Sequence, residues 1–130
     1  MAQRILVVDD ANDVRQWLKL SLEARGWAVT DADCGETALA AFDDADPPNF
    51  VVLDHMMPGM TGLEVGAQLR DRGYDGPIVL FSAYLSPGMS ADLRRLDMTA
   101  VSKIDHTALF RVIDAAGRGR GAPAPGGTST

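Results

Sequence analysis

A single cysteine, Cys34, leaves the sequence unable to form an internal disulfide, and such a chain suits a reducing compartment. Basic residues are scarce too: 12 Lys and Arg stand against 18 Asp and Glu, a formal charge of −6. A nucleic-acid module would show a basic face, so direct binding of DNA or RNA by this chain is not expected. The plain reading of the mild acidity is solubility. Long apolar runs are also missing. None approaches the roughly 20 residues that span a bilayer, and Met1 to Arg4 lacks the charged-then-apolar layout of a secretory signal. A cytoplasmic chain without membrane association is the expectation. No internal repeat is present. What remains is 130 residues, 46% of them hydrophobic, which suits one domain with a core of its own and hardly two.

Three short apolar runs stand out: Ile5-Leu6-Val7-Val8, Phe50-Val51-Val52-Leu53 and Ile78-Val79-Leu80-Phe81. Runs this short, rich in β-branched residues and bounded by polar residues, Gly or Pro, read as strands buried on both faces. Weaker strands are expected at Ala28 to Ala32 and at residues 100–102. Helical periodicity lies between them. Val14, Trp17, Leu18 and Leu22 form one stripe ending near Gly26, with Trp17 expected in the core or on the inner face. Ala38, Ala41 and Phe42 mark a shorter helix. Thr61 and Glu64 match a capping box for a helix running to about Arg72. Ser86 before Pro87 opens another helix, with Met89, Leu93 and Leu96 as its stripe. Leu109, Val112, Ile113 and Ala116 give the last, with Gly117 as its stop. Strand and helix thus alternate five times, which predicts an α/β fold with a parallel sheet and helices on both faces. The domain is expected over residues 1–117, and the Gly- and Pro-rich stretch 118–130 as a disordered tail or linker.

In open parallel sheets the ligand site lies beyond the carboxyl ends of the strands. Asp9 and Asp10 follow the first run, Asp54 the second, Ser82 the third, and Lys103 the last weak strand. Each has a blander reading alone: Asp9 or Asp10 as a helix cap, Ser82 as a turn former, Lys103 as a solvated lysine. Their coincidence at consecutive strand ends changes the odds. Three adjacent carboxylates repel one another, and a hard cation such as Mg²⁺ relieves this through oxygen ligands. A carboxylate can also act as a nucleophile and form an acyl phosphate. Phosphoryl transfer needs positioning and charge neutralisation above all, which Mg²⁺, Lys103 and a hydrogen bond from Ser82 would supply.

With these residues in place, the chain resembles the receiver domain of two-component response regulators over roughly residues 3 to 116. The resemblance rests on Ile5-Leu6-Val7-Val8-Asp9-Asp10, on the stretch from Val52 to Gly62 containing Asp54, Met57-Pro58 and a Gly eight residues after Asp54, on Leu80-Phe81-Ser82-Ala83, and on Lys103. It implies a flavodoxin-like sheet of order 2-1-3-4-5. Asp54 would be the phosphoacceptor, charged by a histidine kinase or phosphotransfer protein. Asp10 and Asp54 would hold Mg²⁺ through their side chains, Asp9 would help through water, and the backbone carbonyl of Met56 would complete the protein ligands. Ser82 would be the switch hydroxyl and Lys103 the phosphoryl partner. Met56 and Tyr84, two residues after Asp54 and Ser82, occupy positions that influence dephosphorylation in this family; both are bulky, which implies a slow loss of phosphate.

The chain departs from the family pattern in one region. The lysine is usually followed by proline, often through a cis bond; here Ile104 follows Lys103, and a trans bond is expected because cis costs about 3 kcal/mol before a residue other than proline. The usual aromatic switch position holds Ala100, with Tyr84 as a substitute ring. The usual Gly-Ala turn is replaced by Leu96-Asp97-Met98-Thr99. Dimerisation through the helix-four to helix-five face is common in the family, and Arg94, Arg95, Asp97 and Arg111 would lie there, although a charged helix face is usually just solvated. His55 reads as a partly exposed residue rimming the site, His106 as an ordinary first-turn residue, and Cys34 as structural. Two other readings stay open. A phosphatase of the haloacid-dehalogenase type would need a second Asp where Met56 stands. A pseudo-receiver would bind a partner without phosphorylation. The output, and whether the chain stands alone or belongs to a longer regulator, is not legible.

Overall fold

The computed structural model describes residues 3–121, with side chains through Gly117. Five strands, β1 (Arg4–Val8), β2 (Ala28–Ala32), β3 (Phe50–Leu53), β4 (Ile78–Ser82) and β5 (Thr99–Ser102), alternate with five helices, α1 (Asn12–Ala24), α2 (Gly35–Ala40), α3 (Gly62–Asp71), α4 (Ser90–Arg95) and α5 (His106–Gly121). The sheet is parallel throughout, in the order β2-β1-β3-β4-β5. This is the flavodoxin-like arrangement expected from the sequence.

Successive strand residues point to opposite faces, and here both faces are covered. Leu6, Val8, Val51, Leu53, Ile78 and Leu80 pack with Ala38, Leu39, Val65, Leu69 and Leu96 under α2, α3 and α4. Ile5, Val7, Phe50, Val52, Val79 and Phe81 pack with Leu18, Leu22, Leu109 and Ile113 under α1 and α5. Two-sided burial explains why β1, β3 and β4 read as continuous apolar runs rather than alternating ones. Each such side chain contributes roughly 1.5–3 kcal/mol on burial, so the central strands form a rigid base for the loops at their ends.

Three local outcomes differ from the sequence expectation. Trp17 is not a core residue. It is 37% exposed and lies at the seam of α1 and α5, with ring centroids 4.5 Å from His106 and 5.6 Å from Phe110. The buried tryptophan is Trp27, set edge-on to Phe50. Gly117 does not stop α5, which continues to Gly121. A Cβ on Gly117 would sit 3.3 Å from the Trp27 ring, so this glycine serves close packing rather than termination. The tail expected from residue 118 lies, beyond Gly121, outside the described residues. The helix opened at Ser86 also begins as a 3₁₀ turn over Pro87–Met89 before α4 proper.

The turn from α4 into β5 has no glycine, yet Asp97 takes a left-handed φ of 53°. Asp tolerates this region better than most residues. Arg70 of α3 also holds the turn: its guanidinium donates to the carbonyls of Leu96 (2.7 Å) and Asp97 (2.9 Å), and to those of Tyr74 and Gly76 in the loop before β4.

Candidate phosphoacceptor site

The hydrogen-bond ladder of the sheet runs one residue past several strands, and that extension places the candidate residues. The Asp9 amide donates to the Ala32 carbonyl at the end of β2, the Asp54 amide to Val8 of β1, and the Lys103 amide to Ser82 of β4. Asp9, Asp54 and Lys103 are thus locked to neighbouring strands at one edge. Ser82 is the last residue of β4 and is fully buried. All five residues predicted from strand ends do meet there.

Carboxylate oxygens of Asp9, Asp10 and Asp54 lie within 4.8 Å of one another. Asp9 and Asp54 are only 2% and 6% exposed, whereas Asp10 is open to solvent. Lys103 reaches into the group, its Nζ 2.8 Å from Asp9 Oδ2 and 3.2 Å from Asp54 Oδ2. Burial alone would depress this ammonium. The hydrogen bond and charge of Asp9, and then the charge and hydrogen bond of Asp54, outweigh it and hold the lysine pKa above its ordinary value. Three carboxylates against one ammonium still leave the pocket negative, and its donors are all oxygens. That donor chemistry fits a hard divalent cation such as Mg²⁺.

The remaining atoms are already assigned partners. Asp9 Oδ1 accepts the Ala11 amide at 2.9 Å, so both Asp9 oxygens are engaged. Asp54 Oδ1 accepts the His55 amide at 2.8 Å. His55 is half-buried beside the site, as expected of a rim residue. Ser82 Oγ accepts the Tyr84 amide at 3.1 Å, a bond that does not use its own hydroxyl proton. Met56, Tyr84 and Ile104 are exposed, at 51%, 65% and 92%. No cis peptide occurs among the described residues, so the bond from Lys103 to Ile104 is trans. Ala100 lies exposed on β5.

Two residues support the site in roles not read from the sequence. Asp105 caps α5, its carboxylate accepting the Ala108 amide at 3.1 Å; an Asp three residues before Ala108 was the available signal. Gly62, the first residue of α3 behind the Thr61–Glu64 capping box, is the other. A Cβ there would lie 2.4 Å from the Asp54 carbonyl, 2.6 Å from Leu80 Cδ1 and 3.0 Å from His55 Cα. Two of these neighbours are backbone atoms and cannot swing away. Gly62→Ala is therefore expected to cost about 1–3 kcal/mol in urea unfolding and to disturb the loop that carries Asp54. An unchanged midpoint would contradict this packing account.

Comparison with known proteins agrees with the geometry. Residues 5–107 match the family described as response regulator receiver domain. The chain is 48% identical over 83 residues to response regulator MprA of Mycolicibacterium vanbaalenii, covering 64% of this chain and 36% of that protein, so it spans about a third of the relative's length. Among solved structures, TrrA of Thermotoga maritima in complex with Mg²⁺-BeF is similar with a TM-score of 0.75 at 32% identity, over 89% of this chain and 99% of that one. TrrA in complex with the histidine kinase ThkA gives a TM-score of 0.77 at 33% identity, over 89% and 98% of the two chains. No helix among the described residues is long and apolar enough to cross a membrane. On its sequence, its sheet order and the five residues gathered at the sheet edge, the chain belongs to the receiver-domain family of two-component response regulators.

Proposed function

We propose that the chain accepts a phosphoryl group on Asp54 from a histidine kinase or histidine phosphotransfer protein, and relays the signal through protein contacts rather than through catalysis on another substrate. The observation that carries this reading is the Lys103 ammonium bridging the buried carboxylates of Asp9 and Asp54 at the sheet edge where β4 ends in Ser82. In the reaction an Asp54 oxygen bonds to phosphorus as the phosphorus–nitrogen bond of the phosphohistidine breaks; the bonding pair returns to that nitrogen, and the imidazole leaves neutral, keeping the proton already on its other ring nitrogen. Lys103 would neutralise the incoming phosphoryl oxygens and Ser82 would donate a hydrogen bond to them.

Mg²⁺ is the cofactor this reading calls for, and its chemistry would be to neutralise charge on the phosphoryl group and the carboxylates. Asp10 and Asp54 would hold it through their side chains, with the Met56 carbonyl as a third protein ligand. Asp9 would act through water. A cytoplasmic location, no nucleic-acid contact by this chain, and homodimerisation on phosphorylation belong to the same reading. The test is incubation with phosphoramidate and Mg²⁺ followed by intact mass: gain of one phosphoryl mass supports acceptance, and no gain favours a receiver-like module that binds without phosphorylation.

Loss of the phosphoryl group should be slow. Hydrolysis of the acyl phosphate needs an oriented water, and general-base help of that kind contributes typically 10²–10⁴-fold. The flanking exposed side chains, Met56 and Tyr84, are bulky, and neither is suited to orienting a water. The phosphorylated form is expected to persist for minutes or longer after phosphodonor is removed; decay within seconds would contradict the assignment of these two residues.

A further inference from the structure

We propose that Arg15 is a positioning residue for the Asp9–Asp10 loop and sets its affinity for the divalent cation. The inference rests on the reading that Asp10 and Asp54 hold Mg²⁺. Arg15 lies in the first turns of α1, and its guanidinium is shared among three acceptors from three places. Nη1 donates to the Asp9 carbonyl at 2.8 Å, Nε to Asp31 Oδ2 on β2 at 2.9 Å, and Nη2 to Asn12 Oδ1 at 2.8 Å. The side chain is only 13% exposed. The Asp9 carbonyl belongs to the peptide that joins Asp9 to Asp10. Gripping it from α1, and anchoring that grip to β2, fixes the direction in which the Asp10 carboxylate leaves the chain. Asp10 itself is exposed, so its direction is set by this backbone rather than by packing around its side chain.

Charge and geometry make opposite demands here. A cation beside a cation site repels the metal, so if Arg15 acted through charge alone its removal would tighten Mg²⁺ binding. Asp31 offsets part of that charge while also facing Lys19 Nζ at 3.8 Å, and the three directional bonds of the guanidinium make geometry the larger effect. Groups that orient metal ligands without touching the metal typically change affinity 10- to 100-fold when removed. For one exposed ligand out of the set, the lower end applies, about tenfold weaker.

The experiment is a calorimetric Mg²⁺ titration of the whole chain, wild type against Arg15→Ala and Arg15→Lys, with thermal unfolding in EDTA to confirm that each variant is folded. Arg15→Ala is expected to weaken Mg²⁺ binding about tenfold. Arg15→Lys should weaken it in the same direction, because an ammonium keeps the charge but cannot span three acceptors, and this variant carries the test where the alanine form does not fold. Tighter binding in Arg15→Ala with Arg15→Lys unchanged, or no change in either, overturns the proposal. A wild-type chain that takes up no Mg²⁺, or whose uptake is indifferent to Asp10→Asn, overturns the underlying reading and the role of Arg15 with it.

Discussion

Asp54→Asn is expected to remove phosphoryl uptake completely while leaving the chain folded and slightly more stable. The amide has nearly the shape of the carboxylate, and its oxygen can still accept the His55 amide that Asp54 Oδ1 accepts at 2.8 Å. What it lacks is an anionic oxygen, the nucleophile that an acyl phosphate requires. The stability gain follows from counting charges. Asp54 faces two like charges, Asp9 and Asp10, within 4.8 Å and one opposite charge, Lys103, at 3.2 Å. The attraction acts at the shorter distance, so the two repulsions exceed it only modestly, by under about 2 kcal/mol even at an effective dielectric constant near 20. Intact mass after phosphoramidate treatment, with thermal unfolding in EDTA, reads both effects. A phosphoryl mass that persists in the variant would move the acceptor elsewhere, and a large loss of stability would mean that Asp54 holds the fold through contacts beyond those described.

The parts of this picture that were legible in the sequence share one physical basis: they depend on local pattern and chain topology. Continuous apolar runs marked β1, β3 and β4 because both sides of a central parallel strand are buried. Chain order and handedness then brought Asp9, Asp10, Asp54, Ser82 and Lys103 to one edge without any knowledge of side-chain contacts. What was not legible depends on what lies across space. Gly117 resembles a helix stop until the Trp27 ring is placed against it. Trp17 fits the apolar stripe of α1 by spacing, but it falls at the edge of that stripe, where α5 offers His106 and Phe110 instead of the core. The turn at Asp97 lacks the expected glycine because Arg70, 27 residues earlier, holds its carbonyls. In the region that departs from the family pattern, Ala100 offers no ring, yet the amide of Tyr84 is bonded to Ser82 Oγ.

Lys103→Met is the second substitution with a large expected effect, and it separates stability from chemistry. The methionine keeps the apolar stem but removes the ammonium from between Asp9 and Asp54, whose side chains are 2% and 7% exposed. Breaking a buried pair from one side leaves charge uncompensated and typically costs 3–5 kcal/mol; with two carboxylates sharing one lysine and Asp10 open to water, about 3 kcal/mol is expected in EDTA. Phosphoryl uptake should slow by about 10²-fold or more, the usual penalty for losing one charge-stabilising donor. The pH dependence has a definite sign. The folded-state pKa of Lys103 is raised, because the Asp9 and Asp54 interactions outweigh burial. Its contribution to stability is therefore complete below the pKa of an unfolded lysine, about 10.4, and is lost only as pH rises through the higher folded value. The stability gap between wild type and Lys103→Met should accordingly stay constant from pH 7 to 9 and close above about 10.4. Saturating Mg²⁺ should narrow the gap at neutral pH, since a metal cation neutralises the same carboxylates that the variant leaves bare. A gap that is absent in EDTA would mean that the ammonium does not hold the acidic pocket together. A gap unmoved by Mg²⁺ would mean that the lysine and the metal do not act on the same carboxylates.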